Sequence, residues 1–245
     1  MRFSGKVVVV TGGASGIGLA TARRFAAEQA NVVIADRDIA QAQAAAQQLR
    51  AEGATGVLAN ACDVSVETQV QATVDAAVAQ FGKLDIVVNN AGLMTFHPLG
   101  LLSRDDWQRV LDVDLLGAFY FIKYGFAVMK PGSAVVNVAS IHAIQTSPLD
   151  APYAAAKAGL LSLTRSAAIE GSSCGIRVNV ILPGAIDTPM LWENPNVKSG
   201  AEHVDPSFVG KPQDVAAAIA FLASDDAAFV QGTTLVVDGG RLARL

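Results

Sequence analysis

Cysteine is nearly absent from this 245-residue chain. Its two thiols, Cys62 and Cys174, form no CxxC pair and lie in no histidine cluster. That excludes a disulfide framework and reads as two reduced cysteines. No metal-ligand spacing of His, Cys, Asp or Glu occurs, so no metal is expected. Charge is also sparse, at 16% of residues with a net charge of −4. A chain this acidic, with no basic stripe, is not expected to bind nucleic acid or an anionic membrane surface. Long hydrophobic runs are missing too. The opening MRFSGKVVVVTGG has four valines before its glycines, too few for a signal peptide or a membrane span, so the expected location is the cytoplasm. There is no fixed-period repeat, low-complexity tract or Pro/Ser-rich linker.

What is present is apolar and small. Hydrophobic residues make up 51% of the chain and aromatics only 6%, and alanine and valine dominate, which suits closely packed layers. Short β-branched runs at Val7–Val10, Val32–Ala35, Ile86–Val88, Ala134–Val138, Ile176–Ile181 and Thr233–Val237 alternate with longer helical patterns. A further short strand is expected near Val57–Ala59. Strands of this kind are buried on both faces, which predicts an α/β, Rossmann-type doubly wound parallel sheet of about seven strands flanked by helices. The length fits one domain over residues 1–245. Such sheets bind ligands where the strands end, so the residues after each strand carry the chemistry.

After the first strand comes TGGASGIG, Thr11 to Gly18, opening a helix with Leu19, Ala22 and Phe25. Gly12, Gly16 and Gly18, with Ser15 and Ile17 between them, allow a tight turn and close backbone approach to a pyrophosphate at a helix amino terminus. The spacing departs from the common GxGxxG. Asp36 ends the second strand 18 residues beyond Gly18. A carboxylate there accepts from both adenine-ribose hydroxyls and repels a 2′-phosphate, which favours NAD; the neighbouring Arg37 argues the other way. In Cys62-Asp63-Val64, Asp63 is placed either to meet the adenine edge or to cap a helix beginning at Ser65.

Asn89-Asn90-Ala91-Gly92 follows the fourth strand and Ser140 the fifth. Tyr153 and Lys157 follow in YAAAK, on a helix that Asp150 and Pro152 start. The i, i+4 spacing sets the ammonium beside the phenol. A cation there stabilises the phenolate of a group whose ordinary pKa is about 10. Such a tyrosine takes a proton from an alcohol as hydride leaves the carbon.

TGGASGIG, NNAG, Ser140, YAAAK, Pro183-Gly184 and the terminal VVDGG, in that order across essentially the whole chain, resemble the short-chain dehydrogenase/reductase family, and within it NAD-preferring glucose and polyol dehydrogenases. The resemblance implies a seven-stranded sheet, a nicotinamide cofactor (here NAD) and alcohol–carbonyl interconversion. It further implies that Ser140 holds the substrate oxygen, Tyr153 is the general acid/base, and Lys157 lowers the tyrosine pKa and holds the nicotinamide ribose. Asn89, Ala91 and Gly92 would steady the cofactor, with Val64 nearby, and Pro183, Gly184, Ile186 and Thr188 would flank the carboxamide. The resemblance also suggests a homotetramer. An almost wholly apolar helix over Pro152–Ile169 (Ala154, Ala155, Ala156, Ala158, Leu160, Leu161, Leu163) agrees with close packing on another subunit.

One position departs from the family pattern. Trp107, Val110, Leu111, Leu115, Ala118, Phe119 and Ile122 predict one buried helical face, and Asp114 falls on it, where the family places an asparagine in a VNLxG-like string. Two readings remain: Asp114 keeps a structural and relay role beside Lys157, or the exchange weakens turnover.

The stretch from Pro189 to Gly210, part of a substrate loop at about 188–210, is expected to close over substrate. Met94, Met190 and Trp192 offer an apolar wall, and His142, Gln145, His97 and Asn194 offer hydrogen bonds. That lining suits a small sugar, polyol or cyclic alcohol. Two alternatives are an NADPH-dependent 3-oxoacyl reductase, against which Asp36 and Ser15 count, and a non-catalytic NAD-binding regulator, against which the intact Ser140, Tyr153 and Lys157 count.

Overall fold

A computed structural model describes residues 1–200 and 204–243. In chain order, β1 (Val7–Thr11) leads to α1 (Gly16–Ala27), β2 (Asn31–Asp36) to α2 (Ile39–Ala51), and β3 (Val57–Ala61) to α3 (Glu67–Phe81). Then β4 (Ile86–Asn89) precedes α4 (Arg104–Leu111), a π-helical segment (Asp112–Leu116) and α5 (Gly117–Val128). β5 (Ala134–Val138), α6 (Ala151–Ser173) and β6 (Arg177–Pro183) follow. Two short helices, α7 (Pro189–Glu193) and α8 (Pro195–Lys198), come before α9 (Pro212–Ala223) and β7 (Thr234–Val237).

The seven strands pair in parallel in the order β3-β2-β1-β4-β5-β6-β7. Each expected strand is present within a residue or two of its expected bounds. The direction of winding reverses between β1 and β4, and the crevice outside those two strand ends is where such sheets hold ligands. The period-2 geometry of a strand divides the valines of β1 between two cores. Val8 and Val10 pack with Phe25 of α1 and Ile219 of α9, while Val7 and Val9 pack with Val74 of α3 and Phe121 of α5. All four are fully buried, each worth roughly 1.5–3 kcal/mol. A polar thread crosses the second layer. Asn89 Nδ2 donates to Asn137 Oδ1 at 2.8 Å, Asn137 Nδ2 to Thr164 Oγ1 at 2.8 Å, and Thr164 Oγ1 to the Leu160 carbonyl at 2.7 Å. It fixes α6 against β4 and β5.

The expected helical face around Asp114 is interrupted. Gly117 N–H reaches back to the Asp112 carbonyl, an i→i+5 bond, and the extra residue shifts the face beyond it. Ala118 and Ile122 are buried as expected, but Phe121, absent from the expected face, is buried with them, while Phe119 is 39% exposed. Pro152 stands in the first turn of α6, as expected, but the Asp150 side chain makes no cap bond to that turn; it is fully buried instead. Among the described residues no helix is long and apolar enough to cross a membrane. Residues 201–203 of the expected substrate loop lie outside those described.

Candidate active site

The carboxyl ends of the strands open into one cleft of about 380 Å³. Its floor is the turn between β1 and α1. Gly12 and Gly16 adopt φ of +59° and +51°, which side-chain-bearing residues rarely adopt. A Cβ on Gly18 would lie 2.0 Å from the Gly12 carbonyl oxygen, so the turn closes only because none is there. Thr11 Oγ1 accepts from the N–H groups of Asn90 and Ala91, both at 2.9 Å, and Asn90 Nδ2 donates to the Thr11 and Gly12 carbonyls at 2.9 and 3.2 Å. The NNAG segment is thereby tied to the glycine turn. At the cleft's near end, Asp36 is half-buried and accepts from Ala14 N–H and Asp38 N–H, both at 3.1 Å. Asp63 lines the same end and accepts from the backbone and hydroxyl of Ser65 at 3.0 and 2.6 Å. The helix there begins at Glu67 with Val66 as its N-cap and no side-chain cap bond, so Asp63 braces the turn at Ser65 rather than capping a helix.

The far end gathers ionisable groups. Lys157, 3% exposed, donates to the Val138 carbonyl at 3.1 Å and forms a 3.2 Å ion pair with Asp114 Oδ2. The other Asp114 oxygen accepts from Leu93 N–H at 2.9 Å. The Lys157 ammonium lies 5.5 Å from the centre of the Tyr153 ring. Ser140 Oγ accepts from His142 N–H at 3.2 Å, which leaves its own proton to donate. The His142 ring meets Tyr153 edge-on at 5.8 Å, and its Nδ1 lies 3.0 Å from Thr146 Oγ1 and 3.7 Å from Asp150 Oδ2.

Burial governs the electrostatics of this end. Burial pushes the Asp114 carboxyl up, against the pull of Lys157 and Leu93 N–H. Burial, the largest single influence, would lower Lys157, but Asp114 and Tyr153 together outweigh it and hold the ammonium above its ordinary value. Tyr153 is raised, first by burial and further by Asp114 and Asp150, while Lys157 and the Ser140 hydroxyl draw it down. Lys157 therefore acts in the expected direction, but by itself it does not bring the phenol below its ordinary pKa.

Most of the residues singled out in the sequence line this cleft: Gly12, Ser15, Gly16, Ile17, Asp36 and Arg37 from the first two turns, and Asp63, Val64, Ala91, Gly92 and Met94 beyond them. Ser140, His142, Tyr153, Lys157, Pro183, Gly184, Ile186, Thr188, Met190 and Asn194 complete the set. Six expected residues do not line it. Gly18 is buried behind the turn. Asn89 ends β4 with its side chain on the α6 side and, with Asp114, borders a separate internal cavity of about 10 Å³. Gln145 and His97 are exposed elsewhere. Trp192 is 43% exposed and donates from Nε1 to Asp187 at 2.7 Å, which turns the indole away from the cleft. Sequence reading missed Asn90, whose amide locks the turn, and Arg241, which lines the cleft from beyond β7.

A sequence-family model described as enoyl-(acyl carrier protein) reductase matches residues 12–241. The chain is 45% identical to 3beta-hydroxysteroid dehydrogenase 1 of Eggerthella lenta, over 97% of this chain and 94% of that protein. It is 43% identical to cis-4-hydroxycyclohexanecarboxylate dehydrogenase of Sinomonas cyclohexanicum, over 98% of both. A short-chain dehydrogenase of Burkholderia cenocepacia, solved in complex with NADP, superposes with a TM-score of 0.91 at 33% identity over 98% of both chains. The chain belongs to the short-chain dehydrogenase/reductase family. Members of this family bind a nicotinamide cofactor, and the site fits one. The Gly12–Gly18 turn leaves the α1 N–H groups facing the cleft, as a pyrophosphate requires. The cleft then runs from the acid ending β2 to the tyrosine–lysine pair on α6.

Proposed function

We propose that this short-chain dehydrogenase/reductase interconverts a secondary alcohol and a ketone with NAD, acting on a small cyclic alcohol. The observation that carries this reading is the convergence of Ser140, Tyr153 and Lys157 at one end of a single cleft whose other end presents Asp36. The curated relatives named above act, by their names, on ring alcohols, and the apolar Met94 and Met190 suit a ring better than a hydrated sugar.

A nicotinamide cofactor held in the cleft would supply the hydride acceptor for oxidation and the donor for reduction. The Ser140 hydroxyl donates to the substrate oxygen and positions it. Tyr153 Oη removes the alcohol proton and returns it in the reverse direction. Lys157 opposes the burial that holds the phenol protonated, and Asp114 with the Val138 carbonyl fixes the ammonium in place. Asp114 is thus a positioning residue that also adds negative charge where the family has a neutral amide. Asp36 would bind the adenine-ribose hydroxyls and oppose a 2′-phosphate, which is the basis for preferring NAD. Residues 1–245 act as one domain, with the loop at about 188–210 closing over substrate. The exposed Ile169 on α6, 77% exposed, and Phe119 on α5 supply apolar contacts for a cytoplasmic homotetramer.

The test is a panel of ring alcohols, polyols and sugars, followed by NADH absorbance with each cofactor. A tenfold or greater preference for NAD is expected, and Tyr153→Phe should lower kcat by about 10²–10⁴-fold. Equal use of NADP, or a fully active Tyr153→Phe enzyme, overturns the reading.

A further inference from the structure

Among the described residues, two other than glycine hold a left-handed backbone, Gln29 and Leu149, at φ of +69° and +73°. Gln29 is the ordinary case. It follows α1, and the Gln29 and Ala30 N–H groups close that helix on the Ala26 and Phe25 carbonyls, both at 3.0 Å. Leu149 closes no helix. It lies in a turn just before α6, four residues ahead of Tyr153. A bulky side chain is strained in this region, so contacts from outside the turn must hold it there.

One such contact comes from the substrate loop. Asn196 Nδ2 donates to the Pro148 carbonyl, in the peptide that leads into Leu149, at 2.8 Å and across 48 residues. Asn194 and Asn196 are 5% and 4% exposed, although Glu193, Pro195 and Lys198 beside them are exposed. Burying an amide is costly unless its hydrogen bonds are made. Asn194 Oδ1 accepts from Asn196 N–H at 2.9 Å, and the Asn194 carbonyl accepts from Lys198 N–H at 2.9 Å. These bonds set the backbone from which Asn196 reaches Pro148.

The two sides of that bond both lead to the site. On one side, Met190, Leu191 and Asn194 line the cleft. On the other, Asp150 is fully buried and its carbonyl accepts from Ala154 N–H at 2.9 Å, which opens the helical turn that carries Tyr153. Resting on the dehydrogenase reading above, we propose that Asn196 is a positioning residue for Tyr153, acting through the strained turn at Leu149. The cleft-lining part of the substrate loop and the start of the catalytic helix are then one mechanical unit. Binding energy from substrate against Met190 goes into aiming the phenol, so losing Asn196 lowers kcat rather than raising KM.

The experiment measures kcat and KM on the best alcohol of the panel, with NADH Kd by fluorescence, in wild type, Asn196→Ala and the double variant Asn196→Ala, Leu149→Gly. In Asn196→Ala, kcat is expected to fall about tenfold, one step of about 1.4 kcal/mol, with KM and NADH Kd within about twofold of wild type. Adding Leu149→Gly should restore most of the lost kcat, because glycine holds a positive φ without strain. A role in fold stability alone would lower the melting temperature and leave kcat of the folded enzyme unchanged. An unchanged kcat, with or without a rise in KM, overturns the proposal. A kcat loss that Leu149→Gly leaves uncorrected overturns it too, since the effect then does not pass through the turn. Should Asn196→Ala not fold, Asn196→Ser, too short to span to the carbonyl, is read by the same criteria. Failure of the wild type to oxidise any alcohol of the panel overturns the dehydrogenase reading, and this one with it.

Discussion

At the end of the cleft beyond β2 and β3, proposed above for adenosine, Asp36 is half-buried and its carboxylate meets two backbone N–H groups. At the catalytic end, Asp114 is 1% exposed and meets one N–H and an ammonium. Two aspartates of one chain thus stand in very different dielectrics. The adenosine end is specified by clearance: glycines at φ near +55° and a carbonyl against which no Cβ fits. The catalytic end is specified by charge, because removing water makes each ionised group depend on a partner. The first should tolerate altered charge better than added volume, and the second should tolerate a change of charge only where the remaining ion keeps a hydrogen-bond partner, as Lys157 does at the Val138 carbonyl.

Lys157→Met should give the largest effect, since it keeps the volume and removes the charge. We expect kcat to fall by about 10³-fold and stability to fall by about 3–5 kcal/mol in denaturant unfolding, because Asp114 is left as a buried, uncompensated charge. Burial raises the Asp114 carboxyl above its ordinary value, so ionising it costs the folded state more than the unfolded chain. The deficit should therefore shrink as pH falls and the carboxyl protonates. A deficit independent of pH would break the contrast.

Gly18→Ala should come next. It adds one methyl group 2.0 Å from the Gly12 oxygen. Cofactor Kd by fluorescence titration should rise about 100-fold, or two steps of 1.4 kcal/mol. Normal affinity would mean that clearance does not specify this end.

Asp36→Asn is expected to be milder, because the group is partly solvated. The kcat/KM preference for NAD over NADP should fall about tenfold, one step of 1.4 kcal/mol, with a change in stability within about 0.5 kcal/mol. An unchanged preference would remove Asp36 from cofactor selection.

The smallest effect is expected for Asp114→Asn, which restores the amide usual in the family. NAD affinity should stay nearly unchanged and kcat should stay within about tenfold. Asp114 raises the Tyr153 pKa, so removing its charge lets the phenolate form at lower pH. The rising limb of the oxidation profile should move to lower pH accordingly. A profile that superimposes on the wild type would show that the carboxylate is not coupled to the tyrosine.

Much of the site was legible because its residues follow strands, and strands announce themselves as short β-branched runs. Gly12, Asp36, Ala91, Ser140 and Pro183 all stand at or just beyond strand ends, so locating β1, β2, β4, β5 and β6 located them too. The i, i+4 spacing of Tyr153 and Lys157 survives in any helix. The misses have a different cause. Phe119 and Phe121 exchanged their expected burial because a single i→i+5 bond resets the helical phase, and no periodicity count detects one inserted residue. Trp192 faces away from the cleft because Asp187, five residues earlier, captures its indole N–H. Arg241 went unnoticed because only the turn at Asp238 aims the end of the chain back toward β6.

By itself, then, the sequence determined the parallel sheet, the glycine turn, the order of the site residues and the oddity of Asp114, because each is written in local spacing. Only the tertiary structure decided that Asp114 lies behind the cleft wall against Lys157, that burial outweighs Lys157 at Tyr153, and that Arg241 lines the cleft. Those outcomes depend on distances between segments far apart in the chain and on which groups the packing strips of water, and no local pattern encodes either.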